Sequence, residues 1–372
     1  SGTSYDSGDY HKLFDTVLQK ADYAGMRKAQ EEARKKGKLV GVGVSGCIEA
    51  SGPAPSQVAG SLGSAVGFWE SAVLRTHPTG KVTLLTGSHT HGQGHETTFA
   101  QIVADELGIS MDDVEIVHGD TARVPFGMGS YGSRSTSVGG SAIVNSAKKI
   151  RAKALKLAAH LLEAAEEDMV YDQDTGKVHV KGSPDKAKAF GELAFAAYTA
   201  HNMPAGMEPG LEESAFYDPA NFTFPNSAHI AQVEIDRDTG EVTIQRYVAV
   251  DDVGKVINPL IVDGQIVGGV VQGVGQALWE HGVYDDNGQL LSANFMEYAM
   301  PHADKFPTIE TARIETPSPH NPLGVKGAGE MGTIASTPTI ANAVMDALAP
   351  LGIKHLDMPL TPEKIWRAMN KK

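Results

Sequence analysis

The chain has 372 residues, 41% of them hydrophobic, a formal net charge of −13 at pH 7 and a single cysteine, Cys47. That length carries one large domain or two with ample core, while the acidity argues against a nucleic-acid partner. One cysteine excludes an internal disulfide, a four-cysteine zinc site or an iron–sulfur cluster held by this chain alone. With no apolar run of membrane-span length and no signal peptide at the start, the composition predicts a soluble, cytoplasmic protein.

Residues 9–36 carry helical patterning (Leu13, Phe14, Val17, Leu18), closed by Gly37. Gly41-Val42-Gly43-Val44-Ser45-Gly46 then matches a G-x-G-x-x-G dinucleotide fingerprint in letters. The fingerprint needs its glycines to turn straight into a helix, whereas here the chain continues through Cys47, Ile48 and Glu49 in strand-like fashion, which favours a glycine-rich strand. A hairpin follows, Ala72–Arg75 and Lys81–Leu85 joined by His77-Pro78-Thr79-Gly80. Gly92-Gln93-Gly94-His95-Glu96-Thr97-Thr98 leads into a helix with Phe99, Ile102, Val103 and Leu107 on one face. A strand at Val114–His118 precedes a glycine-rich loop, Phe126–Gly140, which opens the longest helix, roughly 140–167. After a small hairpin at Asp174-Thr175-Gly176, the polar, proline-dotted stretch 201–225 reads as a domain boundary.

The second half repeats the first. Asp238-Thr239-Gly240-Glu241-Val242 parallels Pro78-Thr79-Gly80-Lys81-Val82, and Gly264-Gln265 parallels Gly92-Gln93-Gly94. The predicted fold is therefore α+β, a duplicated unit with mixed sheets and two-layer repeats, divided as 1–37 (helical lead-in), 38–205 and 206–372. Glycines 268, 269, 273 and 275 lie along a helix, where each costs roughly 1 kcal/mol relative to alanine; a helix packed very close is the favoured reason, a ligand the other. Near the end, Lys326-Gly327-Ala328-Gly329-Glu330 sets one acid in a glycine run, and Thr337-Pro338 read as N-cap and first residue of an apolar helix.

Four segments thus place polar groups on glycine loops at helix entrances: Gln93–Thr98, Tyr131–Thr136, Asn258–Gln265 and Lys326–Glu330. Helix N-termini offer free N–H groups and a positive dipole end. Ser133, Ser135 and Thr136 add hydroxyls, Arg134 a guanidinium suited to phosphate, and Gln93 and Gln265 amides suited to a heterocycle or oxo group. Together they point to a large phosphate-bearing cofactor, although each alone could be a plain helix cap. There is no Walker A motif. His91 and His95 lack the H-E-x-x-H order of a zinc site, and Asp251-Asp252 read as turn or cap acids.

On these motifs, with Tyr5-Asp6-Ser7-Gly8-Asp9-Tyr10 and Ile257-Asn258-Pro259, the chain resembles the C-terminal half of the molybdenum-binding large subunit of the xanthine oxidase family of molybdenum hydroxylases, nearest the aerobic carbon monoxide dehydrogenase type. The resemblance implies a Mo-molybdopterin cytosine dinucleotide, with [2Fe–2S] clusters and FAD on partner chains. It assigns cofactor contacts to Gln93, Gly94, His95, Thr98, Tyr131, Gly132, Ser133, Arg134, Ser135, Thr136, Gln265, Lys326, Gly327 and Gly329, and the role of active-site base to Glu330. In the implied reaction a Mo-bound hydroxide attacks an electrophilic carbon, hydride passes to a sulfido ligand, and a carboxylate of raised pKa takes the proton. The implied substrate is an aldehyde, an N-heterocycle or CO. The family's N-terminal half is not represented, so a split subunit, a fragment or an isolated domain is expected to need that half, an iron–sulfur subunit and an FAD subunit. Cys47 takes no copper role from the resemblance. A non-catalytic cofactor-holding module and a nucleotide-dependent dehydrogenase using Gly41–Gly46 are the alternatives.

Overall fold

A computed structural model of the chain describes residues 4–53 and 55–371. Its contacts divide into two compact units. Unit I comprises Ser1–Ala50, Phe224–Pro317 and Lys326–Lys372; unit II comprises Ser51–Thr223 and Ser318–Val325.

The chain begins in unit I with α1 (Tyr10–Ala21) and α2 (Tyr23–Lys35). The continuous helical pattern expected over 9–36 is broken at Asp22. This residue takes a left-handed conformation (φ 48°) and caps α2, its carboxylate accepting from the Gly25 N–H. Strand β1 (Leu39–Ile48) holds the whole glycine triplet, so no helix follows it to receive a pyrophosphate. A Cβ on Gly41 or Gly43 would lie 1.9–2.0 Å from the carbonyls of Ala343 and Thr339, and one on Gly46 would meet the Phe14 ring on the opposite face. These glycines exist to let helices lie directly on the strand, and the dinucleotide reading of 41–46 is overturned.

Unit II follows with α3 (Ser56–Ser61), the hairpin β2 (Glu70–Thr76) and β3 (Val82–Thr86), helix α4 (His95–Leu107) and β4 (Val114–Val117). A π-helical turn at Ser135–Gly140 runs into α5 (Ser141–Leu161), which ends earlier than its sequence suggests. The small sheet β5 (Met169–Asp172), β6 (Lys177–Val180) and β7 (Ser183–Ala189) precedes α6 (Phe190–Thr199) and β8 (Leu211–Tyr217). The main sheet has the order β4-β3-β2-β8, antiparallel except for the β3–β4 pair.

The chain returns to unit I with β9 (Asn226–Ile235), β10 (Val242–Asp252), α7 (Pro259–Leu278), β11 (Ile309–Ile314), α8 (Met331–Leu348) and α9 (Pro362–Met369). Its sheet has the order β1-β9-β10-β11, antiparallel except for β10–β11. The period-two alternation of strand side chains separates two cores. Leu39, Val233, Tyr247 and Ala249 meet α7, α8 and α9 through Val270, Val274, Ile340, Val344 and Ile365. Val42, Ile230, Val248 and Val250 meet α1 and α2 through Leu13, Val17, Ala21 and Met26.

The duplication read from the sequence is present in the topology. Each unit has an antiparallel hairpin, a helix, a parallel edge strand, and a further antiparallel strand against the hairpin's first member. That further strand is β8 in unit II and β1 in unit I, so it follows its repeat in one case and precedes it in the other. For this reason the sequential cuts at 37 and 205 are not where the contacts divide. Residues 39–48 pair with β9, and residues 211–217 pair with β2.

Candidate cofactor-binding loops

Within unit II, the α4 entrance is shaped by Gly92 (φ 93°) and Gly94 (φ 80°), conformations that side-chain-bearing residues rarely take. Gln93 closes this loop on itself. Its Oε1 accepts from the His91 N–H and, at 3.4 Å, from the Thr90 hydroxyl. His95, the first helical residue, is buried against Phe99, the rings stacked at 5.0 Å, and its Nδ1 has no hydrogen-bond partner. Burial, more than the neighbouring charges, pushes its pKa down to about 4. Thr98 is buried one turn on, its N–H bonded to the Gly94 carbonyl. A buried imidazole nitrogen left unpaired at a helix N-terminus calls for a partner, and the loop fits a polar group of a bound cofactor on that ground.

The loop before α5 also bends through left-handed residues, Gly132 (φ 57°) and Ser133 (φ 53°). Tyr131 is exposed, Gly132, Ser133 and Thr136 are half-buried, and the Ser135 hydroxyl lies 2.6 Å from that of Ser130. Arg134 departs from expectation. Its side chain is wholly buried, paired at 3.0 Å with Glu70 and donating to the carbonyls of Gly129, Phe68 and Trp69. Two of its nitrogens hold the loop on β2, while Nε is buried with no hydrogen-bond partner. Burial pushes the Glu70 carboxyl up, opposed by the Ser71 N–H, Arg134 and the Met128 N–H. What remains for an anion is neutral: hydroxyls, and N–H groups of the π-helical turn, a feature common at functional sites.

Within unit I, Asn258 caps α7, its Oδ1 accepting from the Ile261 N–H at 3.2 Å, with Pro259 first in the helix. Gln265 is not at that entrance; it lies in the second turn, half-buried. The helix glycines divide by face. A Cβ on Gly269 would meet Gly332 at 2.9 Å and one on Gly273 would meet Ser336 at 2.1 Å, whereas Gly264 and Gly268 have nothing within 4 Å. Close packing of α8 on α7 is therefore the reason for Gly269 and Gly273.

The stretch from Pro317 to Gly332 is itself divided, Ser318–Val325 packing with unit II and the glycine run from Lys326 with unit I. Helix α8 starts at Met331, directly after Glu330, so Thr337 is not its cap and Pro338 lies inside it. The missing Pro338 N–H is tolerated because α8 is pinned between β1 and α7, with Thr337 bonding the Thr333 and Gly273 carbonyls. Lys326 also departs from its expected role. Its N–H reaches the Val253 carbonyl at 2.7 Å, and its Nζ lies 3.3 Å from Asp252 Oδ2 and 3.0 Å from Thr316 Oγ1. Both charged side chains are wholly buried. Gly327 is buried, Gly329 exposed, and Glu330 half-buried with its carboxylate not spent on capping α8.

Asp252 is more than the turn acid its sequence context suggests. It is a buried strand residue that gathers the N–H groups of Gly254 and Thr316, the Thr316 hydroxyl, Asn226 Nδ2 and Lys326 Nζ. Its neighbour Asp251 is equally buried, bonded to Ser227 with His229 at 3.5 Å. The available signal was position: both acids end an apolar strand, where an acid must be buried with partners or turned outward. Among the described residues no group of three or more His, Cys, Asp or Glu side chains could hold a metal ion.

A duplicated α+β fold with polar loops at its helix entrances is the architecture of a cofactor-binding domain. Residues 16–307 match the molybdopterin cofactor-binding domain family. The chain belongs to that family. It is 44% identical over 374 residues to the carbon monoxide dehydrogenase large chain of Hydrogenophaga pseudoflava, covering 100% of this chain and 46% of that one. Among solved structures, it superposes on Cu,Mo-CO dehydrogenase with a TM-score of 0.91 and 42% identity, covering 98% of this chain and 46% of the other. For quinoline 2-oxidoreductase from Pseudomonas putida 86 the TM-score is 0.92 and the identity 40%, covering 100% and 47%. The chain spans less than half the length of these relatives. No helix among the described residues is long and apolar enough to cross a membrane.

Proposed function

We propose that this chain is the cofactor-binding half of the catalytic large subunit of a molybdenum hydroxylase, oxidising a small carbon substrate: an aldehyde, an N-heterocycle or CO. It works in the cytoplasm with the N-terminal half of the large subunit, an iron–sulfur subunit carrying [2Fe–2S] clusters and an FAD subunit. The cofactor is the molybdopterin cytosine dinucleotide, which when bound supplies oxygen transfer and two-electron redox chemistry. In unit II, Gln93, Gly94, His95 and Thr98 and the hydroxyls and N–H groups of Tyr131–Thr136 are its polar contacts. In unit I these are Gln265, Gly327 and Gly329. Arg134 and Lys326 serve it indirectly, by fixing the loops.

Glu330 is the base, accepting on its carboxylate the proton released as the substrate carbon is hydroxylated. The observation that carries this reading is the placement of Glu330. It ends a loop clamped by a buried Lys326–Asp252 pair, beside the N–H groups that open α8, with a carboxylate that does not cap the helix. A rigid mount for one acid suits catalysis, where small misplacements are costly. In Glu330→Gln the molybdenum and pterin content and the thermal midpoint should hold while kcat falls by roughly 10²- to 10⁴-fold. Near-parental turnover in a cofactor-loaded Gln variant refutes the assignment. A stable complex without molybdenum or pterin points instead to a non-catalytic module.

A further inference from the structure

The seam between α8 and the unit I sheet changes character along the helix. In its second half α8 is apolar, Ile340, Ala343, Val344, Ala347 and Leu348 sharing one core with Ala231, Val233 and Ala249 of the sheet. In its first half, the half that begins beside Glu330, the seam is polar. Ser45 of β1 donates to the Ala335 carbonyl at 2.7 Å and meets the Thr339 hydroxyl. Tyr247 of β10 hydrogen-bonds with the side chains of Thr339 and Ser336, and its Oη lies 2.9 Å from His229 Nδ1. His229 Nε2 in turn lies 3.2 Å from Ser227 Oγ and 3.5 Å from Asp251 Oδ1, and the Ser227 hydroxyl donates to that same Oδ1. Ser227, His229, Tyr247, Asp251, Ser336 and Thr339 are each no more than 1% exposed.

A continuous run of hydrogen-bonded groups therefore joins α8 to the end of β10. Burying such a run is demanding, because every polar member needs its partner, and Asp251 Oδ2 has none among the described residues. An apolar seam like that of the second half would hold the helix without this burden. What apolar packing supplies less well is one fixed position along the helix axis. Methyl contacts tolerate a small slide, whereas hydrogen bonds depend on both distance and angle, and buried polar groups are best attested as devices that set register. The polar part of the seam lies at the end of α8 where position matters for the proposed base.

Asp251 and Asp252 are consecutive on β10, so their side chains leave opposite faces of the sheet. On one face Asp252 holds Lys326, in the loop before Glu330. On the other, Asp251 reaches through Ser227, His229 and Tyr247 to Ser336 and Thr339, on the helix after Glu330. We infer that the Ser227–His229–Tyr247–Asp251 network is a positioning device for Glu330, fixing the start of α8 on the sheet so that the carboxylate at its N-cap keeps one place. The inference rests on the proposed function for what Glu330 does. The two acids thus hold the Glu330 segment from both sides, and misplacement of a base by as little as about 1 Å is enough to lose much of its effect.

The test uses Tyr247→Phe, which keeps the ring and removes only the hydroxyl, and Thr339→Val, which cuts the same link from the helix side, both in the purified, cofactor-loaded enzyme. Hydrogen–deuterium exchange read by mass spectrometry should rise at least about tenfold across residues 334–340 in both variants and keep the parental rate in α1, on the other face of the sheet. In Tyr247→Phe kcat should fall about tenfold with KM unchanged. In a Glu330→Gln background the same substitution should lower kcat by less than about twofold, because misplacing a base already removed changes nothing. Unchanged exchange, a rise spread evenly over unit I, or equal fold-losses in the two backgrounds overturns the inference. An inactive Glu330→Gln beside a Tyr247→Phe that is silent in both readouts refutes the positioning alone. Near-parental turnover in Glu330→Gln removes the base assignment, and the inference with it.

Discussion

Lys326→Met tests the clamp that holds the Glu330 loop. Lys326 and Asp252 are both wholly buried, and their side chains meet at 3.3 Å. Methionine preserves most of the lysine stem's packing but removes the charge, leaving the Asp252 carboxylate in the interior with the Gly254, Thr316 and Asn226 donors. Removing one partner of a buried pair costs about 3–5 kcal/mol, and these remaining donors put the expected loss at the lower end, roughly 3 kcal/mol. For a body of this size each kcal/mol moves the midpoint by about 2–4 °C, so unit I should unfold roughly 6–12 °C lower. The assay is calorimetric unfolding of the parent, Lys326→Met, Asp252→Asn and the double variant. Removing both charges abolishes the uncompensated ion, so the double variant should regain much of the loss. A single variant within about 2 °C of the parent refutes the clamp, as does a double variant whose loss equals the sum of the singles.

His95 makes stability depend on pH in a calculable direction. An unfolded histidine titrates near 6.5, and burial holds the native ring down to about 4. Above pH 6.5 both states are neutral and no penalty exists; as pH falls below it the unfolded chain takes the proton first, and native stability drops until the native ring protonates near 4. The loss across that window is roughly 3 kcal/mol, and urea unfolding at pH 7 and 4.5 should show a smaller fall in His95→Gln; equal falls refute it. The helix glycines give opposed expectations. Gly268→Ala, with nothing within 4 Å, should stabilise by roughly 1 kcal/mol through helix propensity. Gly269→Ala, whose Cβ would lie 2.9 Å from Gly332, should destabilise by about 1–3 kcal/mol as α7 and α8 are forced apart. Equal shifts in the same denaturant series remove close helix packing as the reason for Gly269.

What was legible in the sequence follows from how local each signal is. The turns at His77–Gly80 and Asp238–Gly240 and the apolar faces of α4 and α8 are written in neighbouring residues, and the repeat they define is the repeat of the two sheets. The pairing of β1 with β9 is not local. Nothing near Leu39 says that its partner is Ile235, and the sequential division failed there. The start of α8 was misplaced because Thr337-Pro338 is a strong local helix-entry signal, which tertiary packing on β1 and α7 overrides. Asp22 broke the lead-in helix by a left-handed turn that aspartate adopts more readily than most residues, a possibility the apolar spacing does not encode. At the loops, residue type indicated polarity but not direction: the charges of Arg134 and Lys326 meet buried carboxylates.

Those two cations share a logic that reaches beyond either loop. In unit II the entrance to α5 is pinned to the start of β2 by Arg134 and Glu70; in unit I the entrance to α8 is pinned to the end of β10 by Lys326 and Asp252. A buried ion pair adds little net stability, because desolvation offsets the attraction, but breaking it is costly. Such a pair is therefore suited to holding a loop in one conformation. Both loops are glycine-bearing and left to themselves would sample many conformations, and the ion pairs act with the loops' other hydrogen bonds to fix them. In the proposed function these pairs hold the loops while neutral hydroxyl, amide and N–H donors are the groups offered to the cofactor, and Glu330 is the acid proposed for proton transfer.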